Sequence, residues 1–215
     1  MTQGDSIIFI VDDDERLRAA LSDLLASTGL PSVAFESIAK YLAYARPDRP
    51  GCLILDVSLP DISGLEFQRQ VDQECHPPIV FITGYGDIPS AVRAIQRGAV
   101  NFLTKPFSET DLLTSVNAAI ELDRTTRRDR SELAELRRRL ATLTPREREV
   151  FPLVASGLLN KQAAAQLSIS NVTLQIHRGK IMQKMGTPSL ADLVRVAEKL
   201  QIPITHGRRA RNTLK

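Results

Sequence analysis

In the first half of the chain, acidic, hydroxyl and basic side chains stand at the ends of short apolar runs. Ile7–Val11 is followed by Asp12 and Asp13, Leu53–Leu55 by Asp56, Ile79–Ile82 by Thr83, and Asn101–Thr104 by Lys105 and Pro106. Three carboxylates brought into one cleft repel one another unless a cation joins them, and oxygen-only ligation suits a hard ion such as Mg²⁺. A hydroxyl from Thr83 and an ammonium from Lys105 are the partners that phosphoryl oxygens take. The set fits an aspartate that accepts phosphate with metal help, and Asp56, alone at the tip of the central run, is the best acceptor. Each member alone has a bland reading, because an Asp after a strand is a turn residue and a Lys-Pro a loop. The coincidence of all of them at matching run ends is what points to chemistry.

The elements that must position these residues follow from the same runs. Continuous apolar stretches separated by helical patterns read as parallel strands buried on both faces. In such a sheet all strand carboxyl ends face one edge, where ligands bind. The periodicity predicts helices over 15–28, 37–46, 64–74, 88–98 and from 109 onward, with Ser63-Gly64 opening the third. Five strands and five helices give an α/β, flavodoxin-like, doubly wound five-stranded parallel sheet. From Glu109 to about Leu140 there is neither Gly nor Pro, and Leu133, Leu136 and Leu140 make one face apolar. A continuous linker helix is one reading. A flexible tether is the other, because 124–130 is almost wholly polar.

At 215 residues the chain is long enough for two modest domains. Its net charge of +3 hides a split: residues 1–120 hold 9 Lys/Arg and 16 Asp/Glu, and residues 121–215 hold 19 and 9, balances of −7 and +10. An acidic half joined to a basic one suggests metal binding beside nucleic-acid binding, with a solvated basic surface as the alternative. Cys52 and Cys75 are the only cysteines, which excludes a zinc cluster or a CxxC redox pair and reads as reduced thiols. No stretch has the length and apolarity of a membrane span, and MTQGDS does not resemble a signal peptide. These observations predict a cytoplasmic protein that does not engage membrane.

The second half reads as short helices. Thr144-Pro145-Arg146-Glu147 is a capping box with proline at the first helical position, and its helix should stop at Gly157. Lys161–Leu167 forms a second helix, Ser168-Ile169-Ser170 a turn, residues 171–185 a third helix ending at Gly186, and Leu190–Leu200 a fourth. A short helix, a tight turn and a longer helix make a helix-turn-helix, whose second helix lies in the major groove. Val172, Ile176 and Met182 fall at core or groove-facing spacing. Arg178, Lys180 and Lys184 supply charge, Gln175 can read a base edge, and Lys161 can reach backbone phosphate.

Residues 6–122 resemble the receiver domain of two-component response regulators, on IVDDD (10–14), LILDVSLPDISG (53–64) and FITGYGDIPSAVRAIQRGAVNFLTKPF (81–107). Residues 143–186 resemble the LuxR-type DNA-binding domain, on TPRE, GLLNKQAA and HRxxxMxKMG. Together they look like a response regulator of the NarL/FixJ type. The resemblance implies four segments: receiver 6–122, helical linker 123–141, helix-turn-helix domain 142–203 and basic tail 204–215, the tail adding weak phosphate attraction. It implies Asp56 as phosphoacceptor, Mg²⁺ ligated by Asp13, Asp56 and the Ser58 carbonyl with Asp12 acting through water, Thr83 and Phe102 as switch residues, and Lys105 on the phosphate. Phe102 reads equally as an ordinary core aromatic. For DNA it implies phosphate contacts from Lys161, Thr173, Arg178 and Lys184 and base readout by Gln175 and Ile176. Three departures matter: Gln175 stands where the family usually carries Lys, Gly179 lowers helix propensity inside the third helix, and Pro152 should kink the first.

The resemblance implies a phosphorylation-activated transcription regulator rather than an enzyme. Its partners are a sensor histidine kinase, double-stranded promoter DNA and a second copy of itself when phosphorylated, with RNA polymerase an open further partner. A metal-dependent hydrolase on the same cleft needs an acid/base group near Asp56. His76, His177 and His206 are all predicted elsewhere. A receiver that only relays phosphate is opposed by the basic second half. Ile88, Val92 and Ile95, on the fourth helix, are expected to contribute to a receiver dimer surface, with some of them facing the sheet.

Overall fold

Alternation within the apolar runs builds the first half of the molecule. In the computed structural model, which describes residues 5–71, 76–84 and 88–203, five strands form one parallel sheet: β1 (Ile7–Val11), β2 (Ser32–Phe35), β3 (Gly51–Asp56), β4 (Ile79–Thr83) and β5 (Asn101–Thr104). The order is β2-β1-β3-β4-β5, the doubly wound arrangement expected. Successive strand residues point to opposite faces. Phe9, Val11, Leu53, Leu55 and Phe81 therefore join one core with Tyr41 and Phe67. Ile8, Ile10, Ile54, Val80 and Ile82 join another with Leu25, Leu112 and Val116. Burial on both faces is why these strands lack polar alternation.

The helices of this half are α1 (Glu15–Ser27), α2 (Ile38–Ala43), α3 (Gly64–Gln70), α4 (Ile88–Gln96) and α5 (Glu109–Ala141). Asp14 caps α1, its Oδ1 accepting from Arg16 N at 2.8 Å and Leu17 N at 3.3 Å. Two helices fall about a full turn short of the ranges their periodicity suggested. α2 gives way to extended backbone at Tyr44, whose ring packs 5.4 Å from Phe35 and 6.2 Å from Phe9. α3 ends before an extended Val71, and residues 72–74 of the expected helix lie outside the described residues, as does Cys75. On α4 the buried residue is Ala94, while Ile88, Val92 and Ile95 are all exposed. The expectation that some of these three face the sheet is corrected: the 100° spacing turns Ala91 and Ala94 inward instead.

The chain divides into two compact units, Met1–Arg128 and Asp129–Lys215, and α5 contributes to both as a single helix. Near the strand starts of the first unit, Gly51 N donates to Asp123 Oδ2 at 2.8 Å, and Arg127 Nε donates to the same oxygen at 2.8 Å. Asp123 is buried, and these two donors give its Oδ2 hydrogen-bond partners. Cys52 is also fully buried there, and burial pushes its thiol pKa up, which leaves it inert.

The second unit adds α6 (Pro145–Ala155), α7 (Asn160–Gln166), α8 (Asn171–Met185) and α9 (Leu190–Lys199). Its core joins Leu143, Val150, Phe151, Val154, Ala163, Leu174, Ile181, Met185 and Leu193. The caps read from the sequence are present. Thr144 and Glu147 form the capping box, and Ser170 Oγ accepts from Thr173 N at 3.0 Å. Gly157 and Gly186 follow α6 and α8 with φ of 77° and 67°, the left-handed conformation glycine adopts freely. α6 remains one helix across Pro152. The tail from 204 lies outside the described residues.

Candidate functional site

The parallel sheet brings the strand-end residues together. Asp12 and Asp13 follow β1, Asp56 and Thr83 close β3 and β4, and Lys105 follows β5. One carboxylate oxygen from each of Asp12, Asp13 and Asp56 lies within 4.8 Å of the others. Lys105 Nζ sits 2.8 Å from Asp12 Oδ2 and 3.4 Å from Asp56 Oδ2. Asp12 has no exposed surface, whereas Asp13 is open to solvent. Burial raises the Asp12 pKa although Lys105 and the Asp14 amide pull it down. Burial likewise opposes the charge on Lys105, yet its hydrogen bond to Asp12 and the fields of both aspartates leave its pKa raised. Each charge therefore offsets part of the other's cost of burial.

Backbone geometry fixes this cleft. Asp14 N donates to Asp12 Oδ1 at 2.8 Å, and Arg18 Nη1 donates to Asp12 O at 2.8 Å. Lys105 N donates to Thr83 O at 2.7 Å, which ties the loop after β5 to the end of β4, and the Lys105–Pro106 peptide is cis. Ser58 N lies 3.4 Å from Asp56 Oδ1. Gly64 N donates to Val57 O at 3.0 Å, and a Cβ on Gly64 would come 2.4 Å from the Asp56 carbonyl oxygen. Only glycine fits there, a role the sequence shows only as a helix-opening Ser-Gly pair. Thr83 is fully buried, and Phe102 is half-buried with its ring 6.0 Å from Phe81. Both readings of Phe102 stay compatible with that packing.

Three oxygen donors of this kind fit a hard divalent cation. Among the described residues no histidine lies in the cleft. His76 precedes β4 at the opposite edge, with its Nδ1 3.2 Å from Tyr41 Oη, and His177 lies on α8. His206 is outside the described residues.

In the second unit, Gln175, Ile176 and Lys180 share the exposed face of α8, and Lys161 is exposed near the start of α7. Thr173 is half-buried, with its hydroxyl 2.8 Å from Ser170 Oγ. Arg178 is half-buried, its Nη1 3.4 Å from Asn160 Oδ1. Lys184 is directed elsewhere: its Nζ donates to Glu147 Oε2 at 2.7 Å and to Thr142 O at 3.1 Å. Glu147 is buried, and the Lys184 ammonium with the Thr144 amide holds its carboxyl at about 2. The structure thus gives Lys184 an internal partner that spacing alone does not reveal.

A phosphoacceptor-type cleft on a doubly wound sheet, joined to a helix-turn-helix unit, defines a class, and comparison with known proteins shows it. The chain matches the response regulator receiver domain over residues 8–117 and the luxR family of bacterial regulatory proteins over residues 141–197. It belongs to the two-component response regulators that act in transcription through a LuxR-type DNA-binding domain. It is 48% identical to nodulation protein W of Bradyrhizobium diazoefficiens, over 94% of this chain and 89% of that protein. It is 39% identical to the transcriptional regulatory protein FixJ of Rhizobium meliloti, over 90% and 95%. Among solved structures it resembles the response regulator StyR with a TM-score of 0.78 at 42% identity, covering 91% of this chain and 99% of that one.

Proposed function

We propose that this protein is a transcription regulator switched by phosphoryl transfer from a sensor histidine kinase to Asp56. The observation that carries the reading is the convergence of Asp12, Asp13 and Asp56 on the Lys105 ammonium at one sheet edge. Asp56 Oδ supplies the nucleophile and is nearly buried, so few waters compete with it. Asp13, Asp56 and the Ser58 carbonyl would hold Mg²⁺ directly, with Asp12 through a water. The ion supplies charge neutralisation for an incoming phosphoryl group. Lys105 receives one phosphoryl oxygen and Thr83 another, and Phe102 turns inward as Thr83 is drawn over.

The exposed Ile88, Val92 and Ile95 on α4 then form an isologous receiver interface. Pairing two receivers puts two helix-turn-helix units on adjacent promoter half-sites. Lys161, Thr173, Arg178 and Lys180 contact phosphates, and Gln175 and Ile176 face base edges. Lys184, bound to Glu147, supports the fold of the unit rather than contacting DNA. RNA polymerase is the natural further partner of such a regulator at a promoter. Promoter binding requires the compartment of the chromosome, the cytoplasm, and no described helix is long and apolar enough to cross a membrane. The functional segments are receiver 6–122, linker 123–141, DNA-binding domain 142–203 and tail 204–215.

The test is labelling with a small phosphodonor in Mg²⁺. Wild type should take up one phosphoryl group and double its sedimenting mass, and Asp56→Asn should do neither. Full labelling of Asp56→Asn sinks the assignment.

A further inference from the structure

The exposed face of α8 has a composition that neither the family match nor the charge balance describes. Over residues 171–180 the exposed positions are Asn171, Val172, Gln175, Ile176, Gly179 and Lys180. They recur every three to four residues and so form one stripe along the helix. Val172 is 66% exposed and Ile176 53% exposed. A single exposed aliphatic needs no explanation, but a β-branched pair one turn apart, beside two amides, on the second helix of a helix-turn-helix, does.

The stripe is equally defined by what it lacks. Its one cation is Lys180. Arg178 is half-buried against Asn160, and Lys184 is bound to Glu147. The side chain that most often reads guanine, arginine with its two parallel donors, is therefore missing from the stripe. Asn and Gln instead match the N6–H donor and N7 acceptor of adenine, and branched aliphatics match the thymine C5-methyl. Gly179 fits the same picture. A Cβ there would meet nothing within 4 Å, so packing inside the protein does not demand glycine. Its bare surface lets the helix backbone lie closer to whatever the stripe contacts.

We propose that α8 selects A·T base pairs, with Val172 and Ile176 packed on thymine methyl groups and Asn171 and Gln175 bonded to adenine edges. Val172 is the added specificity residue, and it sits at the second position of the helix, where base contacts concentrate. The inference rests on the DNA-binding reading of this unit and adds what that unit reads.

The experiment uses the full-length protein with a small phosphodonor and Mg²⁺, and a duplex library with a randomised core. The expected consensus is A·T at the positions under α8. The selected duplex is then remade with deoxyuridine in place of single thymines. Binding should fall roughly fourfold for each methyl removed under Val172 or Ile176. Val172→Ala and Ile176→Ala should each become indifferent to one such replacement. Both residues are exposed, so neither change disturbs the core, and the deoxyuridine result on wild type stands without them. A G·C consensus, or full affinity for deoxyuridine duplexes, overturns the proposal. An unrelated duplex at low salt separates the two readings: binding there without any base preference sinks the A·T reading alone, and no binding to any duplex sinks the DNA-binding reading with it.

Discussion

In the cleft, a fully buried Asp12 and a nearly buried Asp56 share one ammonium, at 2.8 and 3.4 Å. On α8, the exposed stripe from Asn171 to Lys180 carries a single charge, Lys180. Groups that share a low-dielectric site polarise and neutralise each other, so their contributions do not add. Groups spread along a solvated helix are screened from one another and act nearly alone. The same chain therefore holds one cooperative site and one modular site.

The largest expected effect tests the cooperative side. Lys105→Met leaves clustered carboxylates without their counter-charge and should cost about 2–3 kcal/mol of stability. Combined with Asp12→Asn, much of that loss should vanish, giving a coupling of roughly 1–3 kcal/mol in a denaturant-based double-mutant cycle. Strict additivity would break the comparison.

A smaller effect comes from the Glu147–Lys184 ion pair of the second unit. Glu147 has its pKa held at about 2, below its ordinary 4.5. A depressed carboxylate stabilises the fold above its unfolded pKa, and that stabilisation is lost as pH falls through the folded value. Between about pH 4.5 and 2, the Met185 methyl signal in wild type should report progressive destabilisation. Glu147→Gln should start less stable and show a flatter profile. Parallel profiles for the two proteins would remove the charge from the account.

The smallest effects belong to α8 and its surroundings. Lys161→Ala and Lys180→Ala should each lower the salt slope of DNA binding by about one unit, and the double variant by about two. Lys184→Ala should leave the slope unchanged while destabilising the second unit. A slope change for Lys184→Ala equal to that of Lys180→Ala would mean that the Glu147 pair opens on DNA.

The cleft was legible because strand ends in a parallel sheet converge by topology. Locating Asp12, Asp13, Asp56, Thr83 and Lys105 after apolar runs was enough to place them together, and chain order supplied the rest. Gly64, Arg18 and the Asp14 amide were not read as parts of it. Their roles are backbone approaches and carbonyl contacts that no residue pattern encodes. The caps Thr144, Ser170 and Gly186 were legible for the opposite reason, since capping is local. The partner of Lys184 was not legible, because Glu147 lies on another helix and only tertiary packing pairs them. On α4, Ala94 rather than the large aliphatics is buried, an inversion of the usual size ranking that hydrophobic periodicity does not reveal.

β3 is held at both ends. Asp56 closes it in the cleft beside Lys105, and Gly51 opens it with its amide on the buried Asp123 of α5. An extended strand rises about 3.3 Å per residue and has almost no slack to give. β3 lies inside the sheet, paired to β1 on one side and β4 on the other, so its two ends belong to one hydrogen-bonded ladder. The Gly51 amide proton, bonded to Asp123 at the far end of the strand, is therefore the place to look for a distant echo: a changed exchange rate on phosphorylation would show that an event at Asp56 reaches the other edge of the sheet.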